Sequence, residues 1–135
     1  MRIMKYPVLF AACGSLLLGG CHSLPTRPQP LVKTELFFGN TKGSGGVVTE
    51  REWQAFLDRE ITPRFPDGLT IIDTHGQWRP RDGRLIREKT RLVMIVHPET
   101  AENRAKIETI RRIYEKRFGQ ELVLQVTTPV KAVFD

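Results

Sequence analysis

The chain has 135 residues, 40% hydrophobic and 27% charged, which suits one packed core and is too short for two ordinary domains. Its formal charge of +6 includes Arg2 and Lys5, in a segment expected to be removed; the remaining +4 is a mild excess that calls for no nucleic-acid partner. With two cysteines in all, a disulfide-dense scaffold is excluded.

Residues 1–21 read MRIMKYPVLFAACGSLLLGGC: two cations, an apolar run from Val8 to Leu18, two glycines and a cysteine. This is the plan of an export signal. The run is well short of the roughly 20 residues that span a bilayer as a helix. Leu18-Gly19-Gly20-Cys21 resembles the lipobox of bacterial lipoproteins, which implies cleavage before Cys21 and acylation of that residue. At about 0.8 kcal/mol per buried methylene, several acyl chains on one residue would anchor the protein durably. Cys13 would leave with the signal and Cys21 would carry lipid, so no intramolecular disulfide is expected. His22 in place of Asp resembles the default that sends such lipoproteins to the outer membrane, with the domain on the periplasmic side. Residues 22–30, HSLPTRPQP, have three prolines and no apolar periodicity, and read as a stiff tether. The expected organisation is a signal over 1–20, lipidated Cys21 and tether over 21–30, and a single domain over 31–135.

Leu31 to Gly39 is the first strand, with apolar residues adjacent at Leu36, Phe37 and Phe38. Asn40 to Gly46 reads as a flexible loop. Its glycines, Gly43, Gly45 and Gly46, lack the Lys-Ser/Thr pair of a phosphate-binding loop. Thr49 with Glu52 forms a capping-box pattern ahead of Trp53, Phe56, Leu57 and Ile61, a helix expected to end near Pro63. Leu69 to Asp73, extended by Gln77-Trp78-Arg79, gives a second strand. Pro80-Arg81-Asp82-Gly83 is a turn, so residues 69–79 and 84–96 form a hairpin whose second arm ends in the wholly apolar Leu92 to Val96. His97-Pro98 ends that arm. Thr100 caps a second helix carrying Ile107, Ile110, Ile113, Tyr114 and Phe118, which Gly119 terminates. Leu122 to Val126 is the last strand.

The order β-α-β-β-α-β is the split βαβ, ferredoxin-like α+β plan: an antiparallel sheet with two helices on one face. In that plan the first and third strands are central, in agreement with their contiguous apolar runs. One sheet face is then left open. Continuing the parity of Ile86 through Leu92, Met94 and Val96 places those residues, with Glu88 and Thr90, on the core face. Phe37, Val93 and Ile95 are then the expected outward interface.

No metal-spaced cluster, phosphate loop or nucleophile motif is present, and no cofactor is expected. The polar residues of the hairpin region, Asp73, His75, Trp78, Arg79 and Glu88, form the candidate ligand or partner site. Asp73 and His75 could act as an acid/base pair, though such spacing also arises by chance. A carboxylate at Glu88 on a core face must be paired or functional, unless the end of the hairpin is wet. Arg87, Lys89 and Arg91 read as a solvated face.

Glu35-Leu36-Phe37-Phe38-Gly39, Trp53-Gln54-Ala55-Phe56, residues 62–70 (TPRFPDGLT), Gly76-Gln77-Trp78-Arg79 and Arg117-Phe118-Gly119-Gln120 together resemble a family of small bacterial secreted proteins and lipoproteins, domain of unknown function family 3574. The resemblance spans essentially the whole domain and implies no reaction, ligand or catalytic residue. Two functional expectations follow. The first is a non-enzymatic envelope lipoprotein, held to the membrane by its lipid, whose domain binds a partner or ligand through the open sheet face and the polar hairpin. The second is a cofactor-independent enzyme or small-ligand binder formed by two copies facing each other as a dimeric α+β barrel. A concave cavity beside Glu88, Trp78 or His75 favours the second; a flat face favours the first.

Overall fold

The computed structural model describes residues 29–133; the expected export signal, Cys21 and nearly all of the expected tether lie outside the described residues. Strand β1 (Leu31–Gly39) leads to helix α1 (Glu50–Phe56), a π-helical turn (Leu57–Ile61), β2 (Thr70–Trp78), β3 (Ile86–Pro98), α2 (Ala101–Phe118) and β4 (Leu124–Val130). The sheet order is β2-β3-β1-β4, every neighbouring pair antiparallel. This is the ferredoxin-like α+β fold, with β1 and β3 at the centre.

Local chemistry sets the helix limits. The Thr49 hydroxyl accepts from the Glu52 backbone N–H while the Glu52 carboxylate accepts from the Thr49 backbone N–H at 2.8 Å, a complete capping box. The apolar spacing from Phe56 to Ile61 is one residue too long for an α-helix to keep both on one face. The π turn, closed by Thr62 N–H donating to Leu57 C=O at 2.9 Å, absorbs that residue, and both side chains are fully buried. Thr100 caps α2 by accepting from Asn103 N–H, and Gly119 ends it in the left-handed region at φ 64°.

Val32, Thr34, Leu36 and Phe38 of β1 and Val93, Ile95 and His97 of β3 point toward the helices and are buried. Between sheet and helices the aromatic rings of Phe38, Trp53, Phe56, Tyr114 and Phe118 pack mostly edge to face, with Phe38 and Tyr114 at 4.7 Å between centroids.

Three expectations are corrected. Val93 and Ile95 are core residues, 0% and 1% exposed, and not part of the open face. The register pairs Leu36 with Val93 and Phe37 with Leu92, so only even positions of β3 can share a face with Phe37. The open face therefore carries Phe37, Ile72, Leu92, Met94, Leu124 and Val126, together with Glu88 and Thr90, which were expected on the core side. The last strand starts at Leu124, not Leu122, and runs on to Val130. Residue 123 is tied to α2 instead, its N–H donating to the Glu115 carboxylate at 2.8 Å and its C=O accepting from Arg111 at 3.0 Å. Pro129 is tolerated because β4 is an edge strand. The Asn40–Gly46 segment is tightly tied: Lys42 N–H donates to Gly46 C=O, Gly45 N–H to Lys42 C=O, and Gly43 N–H to Phe118 C=O at the end of α2.

Candidate functional site

The open sheet face holds a concave cavity of about 410 Å³ at the end where the β2–β3 hairpin and the segment after α2 meet. Phe37, Trp78, Leu122 and Leu124 wall it, and Gly39, Thr74, His75, Gly76, Gln77, Glu88, Thr90 and Gln120 complete the lining. Leu122 and Leu124 are 50% and 52% exposed, apolar surface that the described residues leave uncovered.

Glu88 lies across this cavity. Its Oε1 accepts from the Trp78 indole N–H at 2.8 Å, and its Oε2 accepts from the Thr41 backbone N–H at 2.7 Å. Gly39 makes this pose possible, and Gly76 makes room for its neighbour Thr90. Gly39 faces the carboxylate on the neighbouring strand, and a Cβ there would sit 2.7 Å from Glu88 Oε1 and 2.9 Å from Gln120 Oε1. A Cβ at Gly76 would sit 2.6 Å from the Thr90 hydroxyl. Behind Gly39, the buried Tyr114 hydroxyl donates to the Gly39 carbonyl at 2.8 Å, and the Gln120 amide donates to the same oxygen at 3.0 Å. Burial pushes the Tyr114 hydroxyl above its ordinary range, opposed by Arg91 and reinforced by Glu88 and Glu52, so it remains a neutral donor. The floor of the cavity is thereby fixed from the core side.

The five candidate residues do not form one cluster. Trp78 and Glu88 meet on the open face. Asp73 and His75 sit at odd positions of β2, on the helix side, and line a second cavity of about 300 Å³ with Asn40, Glu50, Lys89 and Arg91; His75 also borders the open-face cavity. There Asp73 pairs with Arg91 at 3.5 Å, not with His75. Arg91 also binds Glu50 and stacks over the Trp53 ring at 5.0 Å, so it is built into the fold and not part of a solvated face. Arg79 donates to the Gly83 carbonyl at 3.0 Å and braces the hairpin turn. His97 is a satisfied core residue: its Nε2 lies 2.9 Å from the Thr34 hydroxyl and its Nδ1 2.9 Å from the Pro98 carbonyl. Phe37 stands on the open face as expected and contributes to the cavity wall.

Sequence reasoning missed Gly39, Gly76, Thr41, Gln120, Leu122 and Leu124. The glycines carried a usable signal, since glycine inside a strand marks a close approach. The other four are brought in by tertiary structure.

Among solved structures, a phage SAM lyase in complex with S-methyl-5'-thioadenosine superposes with a TM-score of 0.61 at 18% identity, covering 79% of this chain and 88% of that one. The apo form of the phage lyase gives 0.56 at 16% identity, over 79% and 87%. CutA from Synechococcus elongatus PCC7942 gives 0.48 at 11% identity, over 76% and 78%. The likeness to the lyase is one of fold. No curated protein matches the sequence. Residues 33–134 match the family described as "Protein of unknown function (DUF3574)", and the chain belongs to that family.

Proposed function

We propose that this chain is a lipid-anchored envelope protein, held through Cys21 to the outer membrane, whose domain binds a small ligand on the open face of its sheet. The observation that carries the reading is the cavity of about 410 Å³, concave and largely apolar, with one oriented carboxylate and one oriented indole converging in it. A modest apolar cavity with a few fixed polar groups is the usual form of a small-molecule site. A docking surface for a folded protein would instead be expected to be flat and broad. The open apolar face around the cavity supports a second copy closing over it, as in a dimeric α+β barrel.

Trp78 provides a direct reporter, because its indole N–H donates into the site while the other indole, Trp53, is buried in the core. The test is a fragment screen on the full chain in mild detergent, read by the two indole N–H resonances and assigned with Trp78→Phe. S-methyl-5'-thioadenosine belongs among the probes because a protein of like fold was solved with it. Fragments should shift the Trp78 resonance and leave Trp53 in place. A screen in which nothing moves Trp78 at millimolar concentration would refute a small-ligand site.

A further inference from the structure

The acceptor in this cavity is a carboxylate without a counter-ion. Both donors to Glu88, the Trp78 indole and the Thr41 amide, are neutral, and among the described residues no Lys, Arg or His nitrogen lies within 4.0 Å of it. The strand geometry enforces this separation. Arg87, Lys89 and Arg91 flank Glu88 in sequence, and His75 borders the cavity from β2, but all four alternate to the opposite face, where Arg91 is engaged by Glu50 and Asp73. On the open face, Lys33 lies six residues up β1 from Gly39, roughly 20 Å away at the rise of a strand, and is paired with Glu35 at 3.2 Å.

The two neutral N–H donors occupy one lone pair on each oxygen and leave the negative charge unmatched, whereas a glutamine could accept from only one of them. A carboxylate in an apolar-walled, half-buried place carries a desolvation cost that is recovered when a cation joins it. The walls supply the rest of the recognition: Trp78, Phe37, Leu122 and Leu124 offer aromatic and aliphatic surface within a space sized for a single small molecule.

We infer that the open-face cavity takes a compact organic cation, an ammonium or guanidinium group carried on an apolar or aromatic body, with Glu88 as its counter-ion and Trp78 as its wall. The inference rests on the cavity being a ligand site and adds the charge of the ligand to it.

The probes are three compounds with one phenylethyl body and different headgroups, 2-phenylethylammonium, 2-phenylethanol and 3-phenylpropionate, titrated into the full chain in mild detergent. Readouts are the Trp78 indole N–H resonance and calorimetry, each at low and high salt. The cation should bind at least tenfold more tightly than the alcohol, and the propionate most weakly. The preference should shrink as salt rises. In Glu88→Gln, which keeps the size and one acceptor, the cation should fall to the affinity of the alcohol. Should Glu88→Gln disturb the fold, the salt dependence of the wild-type preference tests the same point. Equal affinities for cation and alcohol would overturn the charge assignment and leave the ligand site standing. Absence of binding by all three, together with an empty fragment screen, would overturn both.

Discussion

Gly43 offers a sharp test of how the site is braced. Its N–H donates to the Phe118 carbonyl at 3.0 Å, and a Cβ built on it would lie 2.2 Å from the Gly119 oxygen and 3.0 Å from the Gly119 carbonyl carbon. Both are backbone atoms. Gly119 cannot easily retreat, because it caps α2 in the left-handed region and its own N–H donates to the Glu115 carbonyl. Gly43→Ala must therefore push the loop off the helix end. Overpacking of this kind costs about 1–3 kcal/mol. The contact is with backbone, so the upper part of that range applies, less about 0.4–1 kcal/mol from the stiffer unfolded chain. The net expectation is a loss of about 1.5–2.5 kcal/mol, which lowers Tm by roughly 6–20 °C for a domain of about 100 residues. The loop also carries Thr41, whose N–H holds Glu88, so the Trp78 indole resonance should move as well. Thermal unfolding followed by circular dichroism, with exposed neighbour Ser44→Ala as control expected within about 0.5 kcal/mol, reads the first effect. A Gly43→Ala chain as stable as wild type, or more so, would refute the close packing of loop and helix.

Truncating the core at Trp53 or Ile110, 2% and 0% exposed, should cost about 2–5 kcal/mol each in urea unfolding; losses under about 1 kcal/mol at both would contradict the helix packing. The Lys42 ammonium, then the Thr49 backbone and hydroxyl, lower the Glu52 carboxyl from 4.5 to about 2. A depressed carboxyl stabilises the fold above its unfolded value, and that share is lost as pH falls from about 4.5 toward 2; Glu52→Gln should flatten the stability profile in that window, and an unchanged profile would refute the linkage. Labelled palmitate should enter the wild type and not Cys21→Ala, and the wild type should fractionate with the outer membrane; label retained in the mutant would end the lipoprotein reading. If a second copy covers the open face, the wild type should sediment as a dimer, and Phe37→Glu should shift it toward monomer with its circular dichroism unchanged; a wild-type monomer at high micromolar concentration would refute that cover.

Element order, helix limits and the central place of β1 and β3 were legible in the residues because each rests on short-range chemistry. Thr49 with Glu52, Thr100 and Gly119 act within one helical turn, and the apolar runs at Leu36–Phe38 and Leu92–Val96 mark strands flanked by neighbours on both sides. What those runs cannot report is parity. A stretch apolar on both sides has no alternation, and the alternation farther down β3 misleads. There Arg87 and Lys89 sit at the same parity as buried Val93 and Ile95, because the helices cover only part of the strand and the hairpin overhangs into water. Only the pairing of Leu36 with Val93 and Phe37 with Leu92 decides which residues share a face. That register sends Glu88 and Trp78 to one side and Asp73 and His75 to the other, splitting a cluster that looks continuous along the chain. It also brings Gly39, Thr41, Gln120 and Leu122 to Glu88 from segments 32 to 49 residues away. The cavity belongs to the tertiary structure because its walls come from segments that meet only once the sheet is registered and α2 has docked its C-terminal end against the loop after β1.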